Sequence, residues 1–267
     1  MAADLAARLP GFGDVAWILE TGSTNVDLIG RARMPDVSAL PMPWLLGTHL
    51  QVSGRGRAGR PWQNESGACL MLSCAFNIQM PGHRLPALSP LAGLAACEAL
   101  RSLVAPDVAR QLQVKWPNDV QFDEKKLGGI LVETTRASSG KGYVVVIGMG
   151  LNLNNAKALS TDLQRDIADW SEVCPSGEAG PAALAAALAG GWQNIIVEAG
   201  IAGFAGLRDR FSAADALHER IVNVLDQGRI LFSGRACGYD EHGRLQVATP
   251  EGIMPVSVGD VSVRLKA

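Results

Sequence analysis

The chain has 267 residues, 48% of them hydrophobic and 19% charged. That is an ordinary globular composition, with material for one large core and a small second domain. The formal net charge of −2 excludes a global electrostatic pull toward nucleic acid, so any basic site must be local. The five cysteines, Cys69, Cys74, Cys97, Cys174 and Cys237, show neither a C-x-x-C pair nor a histidine partner at zinc spacing. Their odd number suits a reducing compartment, and Cys69, Cys74 and Cys97 sit in apolar segments that read as core. Met1–Pro10 carries Asp4 and lacks a basic start with a long apolar run, unlike a signal peptide. No run reads as long and apolar enough to span a bilayer. The expected location is the cytoplasm.

In chain order, Ala16-Trp17-Ile18-Leu19 reads as a short strand. Ser23 or Thr24 then caps a helical segment through Leu28, Ile29 and Ala32. Trp44–Thr48 reads as a strand that delivers the loop Gly54-Arg55-Gly56-Arg57-Ala58-Gly59-Arg60. Cys69–Phe76 is a buried strand, and Leu88–Leu103 a helix with apolar residues near one face. Short strands follow at Leu112–Trp116 and Val120–Phe122, the latter turning back across Asp123-Glu124-Lys125. Ile130–Thr134 and Tyr143–Ile147 flank a hairpin turn at Ser138-Ser139-Gly140. Ala182–Val197 is an alanine-rich helix. From about Arg220, short strands alternate with glycines, the pattern of a small barrel.

Four stretches carry chemistry. Three glycines and three arginines in Gly54–Arg60 let backbone N–H groups approach an anion and add forked donors. The same run also reads as a solvated basic loop. Lys115-Trp116-Pro117-Asn118-Asp119 sets a cation near a carboxylate, and is equally a simple turn. Lys125-Lys126-Leu127-Gly128-Gly129 lets a ligand or backbone come close to a strand, or marks a hairpin corner. Gly148-Met149-Gly150-Leu151-Asn152 interrupts an apolar strand and ends on an amide that donates and accepts. Its partial likeness to G-x-G-x-x-G lacks the helix of a dinucleotide site.

Taken together and in this order, the four stretches resemble the biotin protein ligase family. The resemblance also takes in Ser23-Thr24-Asn25, Gln51, Pro61-Trp62 and Ile130–Glu133. It covers about residues 15–155, and more weakly Gly259-Asp260-Val261-Ser262-Val263-Arg264 at the C-terminus. It implies an α+β fold: a central mixed or antiparallel sheet with helices, like the class II synthetases, over residues 1–217, then a small SH3-like β-barrel over 218–267. It also implies two half-reactions. Biotin and ATP give biotinyl-5′-AMP and pyrophosphate, and a lysine of a biotin carboxyl carrier domain then takes the biotin.

The resemblance further implies roles for single residues. Lys126 lies between the biotin carboxylate and the α-phosphate, and Arg55 and Arg57 clamp phosphate and hold the flap closed with Gly56. Ser23, Thr24, Asn25 and Gln51 form the biotin pole for the ureido ring, and Gly129 and Leu131 line the bicycle and tail. Trp62 stacks on adenine, with flap-to-core packing as its other reading, and Asn152 bonds adenine. Lys115 and Asp119 serve the adenylate region. Mg²⁺ accompanies the phosphates, with no ligands readable. Arg60 is left to the surface. The implied partner is the carrier domain of acetyl-CoA carboxylase or a related carboxylase, with the ligase a monomer or homodimer.

About 15 residues precede the first ligase-like strand, too few for the helix-turn-helix of repressor-type relatives. The chain is therefore expected to be of the ligase-only type, without DNA binding. A lipoate or octanoyl ligase is the rival of related fold, and a non-catalytic effector-binding regulator the rival of another class.

Overall fold

The computed structural model describes residues 1–34, 41–63, 65–138, 140–259 and 261–265. Ser139 of the expected hairpin turn and Asp260 of the C-terminal stretch lie outside the described residues. Helix α1 (Ala2–Arg8) leads into β1 (Asp14–Thr21), α2 (Thr24–Ala32), β2 (Trp44–Gln51) and β3 (Cys69–Ile78). Then come α3 (Leu88–Arg101), the one-turn α4 (Pro106–Ala109), β4 (Leu112–Lys115), β5 (Asp119–Phe122), β6 (Lys125–Arg136) and β7 (Tyr143–Asn152). Helices α5 (Ala156–Leu163), α6 (Trp170–Val173), α7 (Pro181–Ala202) and α8 (Arg208–Ser212) follow. The last strands are β8 (Ile221–Asp226), β9 (Arg229–Tyr239), β10 (Leu245–Thr249), β11 (Gly252–Val256) and β12 (Val261–Leu265).

The first sheet has the order β1-β2-β3-β7-β6-β5-β4. Its β1–β2 pair is parallel and the others antiparallel. It is the mixed sheet that the sequence led us to expect. Strand parity decides what each face carries. In β7, Val145, Ile147, Met149 and Leu151 enter the main core with α3 and α7. Val144 and Val146 join Leu28 and Ala32 of α2 on the opposite face. Gly148 and Gly150 continue that second face, where the functional cavity opens.

The second sheet, β11-β10-β9-β8-β12, is antiparallel throughout. One apolar cluster runs through both sheets: Phe204 and Phe211 pack on Tyr239 of β9, with Phe211 and Tyr239 ring centroids 4.6 Å apart. Two sequence readings need correction. Helix α7, with 22 residues, is long and apolar enough to cross a membrane by composition, but it buries Leu184, Leu188, Trp192 and Ile195 in the core against α3. Ser23 occupies the N-cap of α2 without a side-chain cap bond. The Thr24 amide is met instead by Gln51 Oε1 at 2.8 Å, across from β2.

The segment joining the two sheets is itself stitched to the first. Val114 N donates to Ala214 O and Ala216 N to Val114 O, making a parallel bridge at Asp215. Asp215 is 7% exposed. It accepts from Leu217 N at 2.9 Å and interacts with the Tyr239 hydroxyl. Burial pushes its pKa up to about 6 against these hydrogen bonds and the nearby His218. The folded state therefore holds a proton that the unfolded chain releases near pH 4, and the associated stability is lost as pH rises from about 4 to about 6. Urea unfolding should show the advantage of Asp215→Asn over the wild type growing by up to about 3 kcal/mol between pH 4 and pH 7. A constant difference across that window would refute this.

Candidate functional site

A cavity of about 800 Å³ opens on the α2 face of the first sheet. Its floor is β6 and β7, where Gly129 stands opposite Gly150 and Leu131 opposite Gly148. These glycines are explained by what lies on them. A Cβ on Gly150 would come within 2.3 Å of the Trp62 ring, and one on Gly148 within 2.0 Å of Asn25 Oδ1 and 2.8 Å of Ser73 Oγ. One on Gly128 would meet Met149 and the Gly150 carbonyl at under 3.0 Å. The strands are bare because side chains from elsewhere occupy their surface.

At one end of the cavity sits a buried polar pole. Ser23, Thr24, Asn25 and Ser73 are each 5% exposed or less. Thr24 and Ser73 hydroxyls are 2.6 Å apart, Ser73 Oγ donates to Asn25 Oδ1 at 2.6 Å, and Thr24 Oγ1 donates to Gln51 Oε1 at 3.2 Å. Asn25 Nδ2 donates to Glu133 Oε2 at 2.9 Å and Leu131 O at 3.2 Å. The two hydroxyls carry one hydrogen each and so supply two of their three contacts at a time, while the Asn25 amide is held at both its oxygen and its nitrogen.

The Gly54–Trp62 flap is a short closed hairpin. Trp62 N donates to Gly54 O at 2.8 Å, Gly56 N to Arg60 O at 2.7 Å, and Arg55 bridges Pro61. Ala58 and Gly59 at its tip have φ of 53° and 68°, a left-handed turn that glycine takes at no steric cost and alanine does not. Arg55 pairs with Glu133 at 3.1 Å. Arg57 donates to Asn118 Oδ1 at 3.3 Å and to the Gly259 carbonyl. Asn118 is fixed in turn, its backbone carbonyl and side-chain amide both bonded to Ile130.

Lys126 reaches Asp119 at 2.6 Å and lies 5.6 Å from the Trp62 ring centroid. Burial lowers the pKa of Lys115; Lys126, Arg264 and Arg165 push it the same way, and Asp119 opposes them. Seven arginines and lysines line the cavity against three acids. The site is thus a cationic basin in a chain of net charge −2, suited to drawing in and holding a polyanion. Among the described residues, no group of three His, Cys, Asp or Glu side chains could hold a metal ion.

A sequence model described as Biotin/lipoate A/B protein ligase family matches residues 35–152, and one described as Biotin protein ligase C terminal domain matches 217–264. Together they cover more than half of the chain. The chain belongs to the biotin/lipoate A/B protein ligase family. It is 29% identical to the bifunctional ligase/repressor BirA of Escherichia coli over 98% of this chain and 78% of that protein. It is 36% identical to the biotin–[acetyl-CoA-carboxylase] ligase of Mycobacterium tuberculosis over 55% of this chain and 52% of that one. The biotin protein ligase from Aquifex aeolicus in complex with biotin and ATP shares its fold, with a TM-score of 0.72, 23% identity, and coverage of 94% of this chain and 98% of that one.

Of the residues that the ligase resemblance nominated, all but Asn152 line the cavity. Asn152 is 3% exposed, and its amide donates to Ala168 O at 3.1 Å and Lys126 O at 3.4 Å. In this structure it fastens β7 to the Lys126 backbone and to the segment after α5. Arg60 is exposed at the cavity rim, as expected. Sequence reasoning gave no role to Ser73, Asn118, Glu133, Arg165 or Arg264. Ser73 and Glu133 carried a signal in strand parity, since Ser73 pairs with Gly148 and Glu133 lies two residues beyond Leu131.

The bare floor is testable. Gly150→Ala should displace Trp62, shift its indole resonance (assigned through Trp62→Phe) and cost about 1–3 kcal/mol of stability. Gly22→Ala, where a Cβ would meet nothing within 4 Å, should leave both unchanged. An unmoved Trp62 resonance in Gly150→Ala would count against the packing described.

Proposed function

We propose that this cavity activates biotin with ATP and passes it to a lysine of a carrier protein. The observation that carries the reading is one cavity with a buried neutral polar pole at one end and a cationic basin under a closable flap at the other. Biotin has the matching asymmetry, an uncharged ureido ring and an apolar tail ending in a carboxylate. The match to a biotin protein ligase C terminal domain over residues 217–264, with relatives named as biotin ligases, favours biotin over lipoate.

In the proposed first step, a biotin carboxylate oxygen attacks the α-phosphorus of ATP. The bond from that phosphorus to the bridging oxygen of pyrophosphate breaks, and pyrophosphate leaves. Two anions must meet, so cations must offset their repulsion and the charge developing at phosphorus. Lys126, held by Asp119, is assigned the place between carboxylate and α-phosphate. Arg55, Gly56 and Arg57 close over it. Thr24, Asn25, Gln51 and Ser23 hold the ureido ring, while Gly129 and Leu131 line the bicycle and tail. Trp62, already lying on Gly150, offers an aromatic face to adenine. Lys115 and Asp119 serve the triphosphate side.

In the second step the carrier lysine amine attacks the acyl carbon, AMP departs with the anhydride oxygen, and an amide remains. The closed flap keeps water from the anhydride until the carrier docks. Mg²⁺ would enter on the phosphates of ATP, with a carboxylate or two at most from the protein. The described residues offer no cage of their own, so no step is routed through it. The proposal includes a division at 217/218 between ligase domain and barrel, a carboxylase carrier domain as acceptor, and a reducing, cytoplasmic setting in which all five cysteines stay free.

Biotin-dependent ATP–pyrophosphate exchange tests the reading: lipoate should not replace biotin, and exchange with lipoate alone would overturn it. Lys126→Met should cut exchange at least about 100-fold. Arg57→Gly, which frees the flap from Asn118, should retain part of the exchange and increase biotinylation of a bystander protein. No increase at an equal exchange rate would remove the protective role of the flap.

A further inference from the structure

Glu133 is the point where the polar pole and the flap share one group. Its Oε2 accepts from Asn25 Nδ2 at 2.9 Å, and its Oε1 accepts from Arg55 Nη2 at 3.1 Å. Asn25 has little freedom to compensate. It is 4% exposed, its oxygen is taken by Ser73, and its amide is divided between Glu133 and Leu131 O. Asn25 also stands over Gly148, where even a Cβ would not fit. A ligand that moves Asn25 therefore moves or reloads the Glu133 carboxylate.

On the flap side, Arg55 begins the hairpin and bridges Pro61 at its other end, so its position sets the angle at which the flap leaves the sheet. Two of the three flap arginines are anchored to different places. Arg57 goes to Asn118 and the Gly259 carbonyl. Arg55 goes to Glu133, and through it to the pole. Glu133 itself belongs to β6, where strand parity puts it on the same face as Gly129 and Leu131.

We propose that Glu133 is a positioning residue that relays occupancy of the ureido pole to the flap, so that a bound biotin sets Arg55 before the nucleotide is enclosed. The inference rests on the biotin reading above. It gives Glu133 no contact with the reacting atoms. A partly exposed ion pair of this kind is worth up to about 1 kcal/mol, or about a fivefold change in an equilibrium, which is the size of effect the flap equilibrium should display.

The test uses the full chain. Tryptic cleavage at the flap arginines is timed with and without biotin, beside calorimetric titration of biotin. In the wild type, biotin should slow cleavage. Glu133→Gln keeps an oxygen for Asn25 and drops the charge opposite Arg55. It should still bind biotin within about threefold of the wild type, and lose about fivefold of the biotin-dependent protection. Glu133→Asp, which keeps the charge, should regain part of it. Full protection in Glu133→Gln overturns the relay. So does loss of protection only in proportion to lost biotin affinity, which would make Glu133 a support of the pole and nothing more. If Glu133→Gln does not fold, Glu133→Asp decides: protection no better than its biotin affinity explains overturns the relay. A wild type that binds no biotin overturns the biotin reading itself, a result distinct from the others.

Discussion

The site depends on the absence of side chains at three places in two adjacent strands. Gly129 of β6 and Gly148 and Gly150 of β7 share the cavity face, with Gly129 directly opposite Gly150. Each removes a Cβ that would strike a neighbour at 3.2 Å or less. A sheet face normally carries alternate side chains, and these would fill the space above it. Here the space is given to Asn25 from α2 and Trp62 from the flap. Two segments far from the strands in sequence thereby bring a polar group and an aromatic face onto one floor.

The charges of the site are arranged by a second economy. Among the described residues three acids line the cavity, and two of them are ion-paired. Asp119 holds Lys126 at 2.6 Å and Glu124 pairs with Arg220 at 2.7 Å, while the Asp166 backbone carbonyl accepts from Lys126 N. Lys115 meets four charged groups and loses proton affinity mainly because it is buried. The basin keeps its excess of positive charge because seven arginines and lysines face three acids, one of which, Asp119, serves to hold Lys126. An arriving polyanion relieves repulsion among Lys115, Arg165 and Arg264, so the basin is set up for a charge it does not itself contain.

Much of this was legible in the sequence where a local rule governs it. Continuous apolar runs announced β3 and β7, glycines marked the bare floor, and the Arg–Gly run marked the flap. What escaped depends on partners distant in the chain. Asn152 has the parity of Gly148 and Gly150, and its amide turns to Ala168 and Lys126, which no spacing rule reports. Gln51 takes the capping role that local sequence assigned to Ser23 or Thr24, because β2 runs beside the start of α2. The segment 163–166 carries no motif and reaches the cavity because residues 166–168 bond the Lys126 backbone. Helix α7 was legible as an alanine-rich helix, but not that it runs on to Ala202 with a composition apolar enough for a membrane, or that Trp192 and its neighbours cover α3.

The Lys115–Asp119 turn shows why the second sheet belongs to the site. Lys115 and Asp119 face each other across β4 and β5 and line the cavity. Trp116, 1% exposed, points the other way and donates its indole N–H to Gly243 O at 3.0 Å. Gly243 is in turn pressed against Phe204, where a Cβ would come within 2.9 Å. Together with the Arg220–Glu124 pair and the bridge at Asp215, this gives the second sheet three attachments to the first. One is behind the lysine turn, one at the β5–β6 hairpin that ends in Lys126, and one along β4. Strand β12, carrying Val263 and Arg264 at the cavity wall, is therefore held by the same elements that aim Lys115 and Lys126. A shift of the barrel cannot leave those lysines unaffected, because the backbone that positions them is also what the barrel is bonded to.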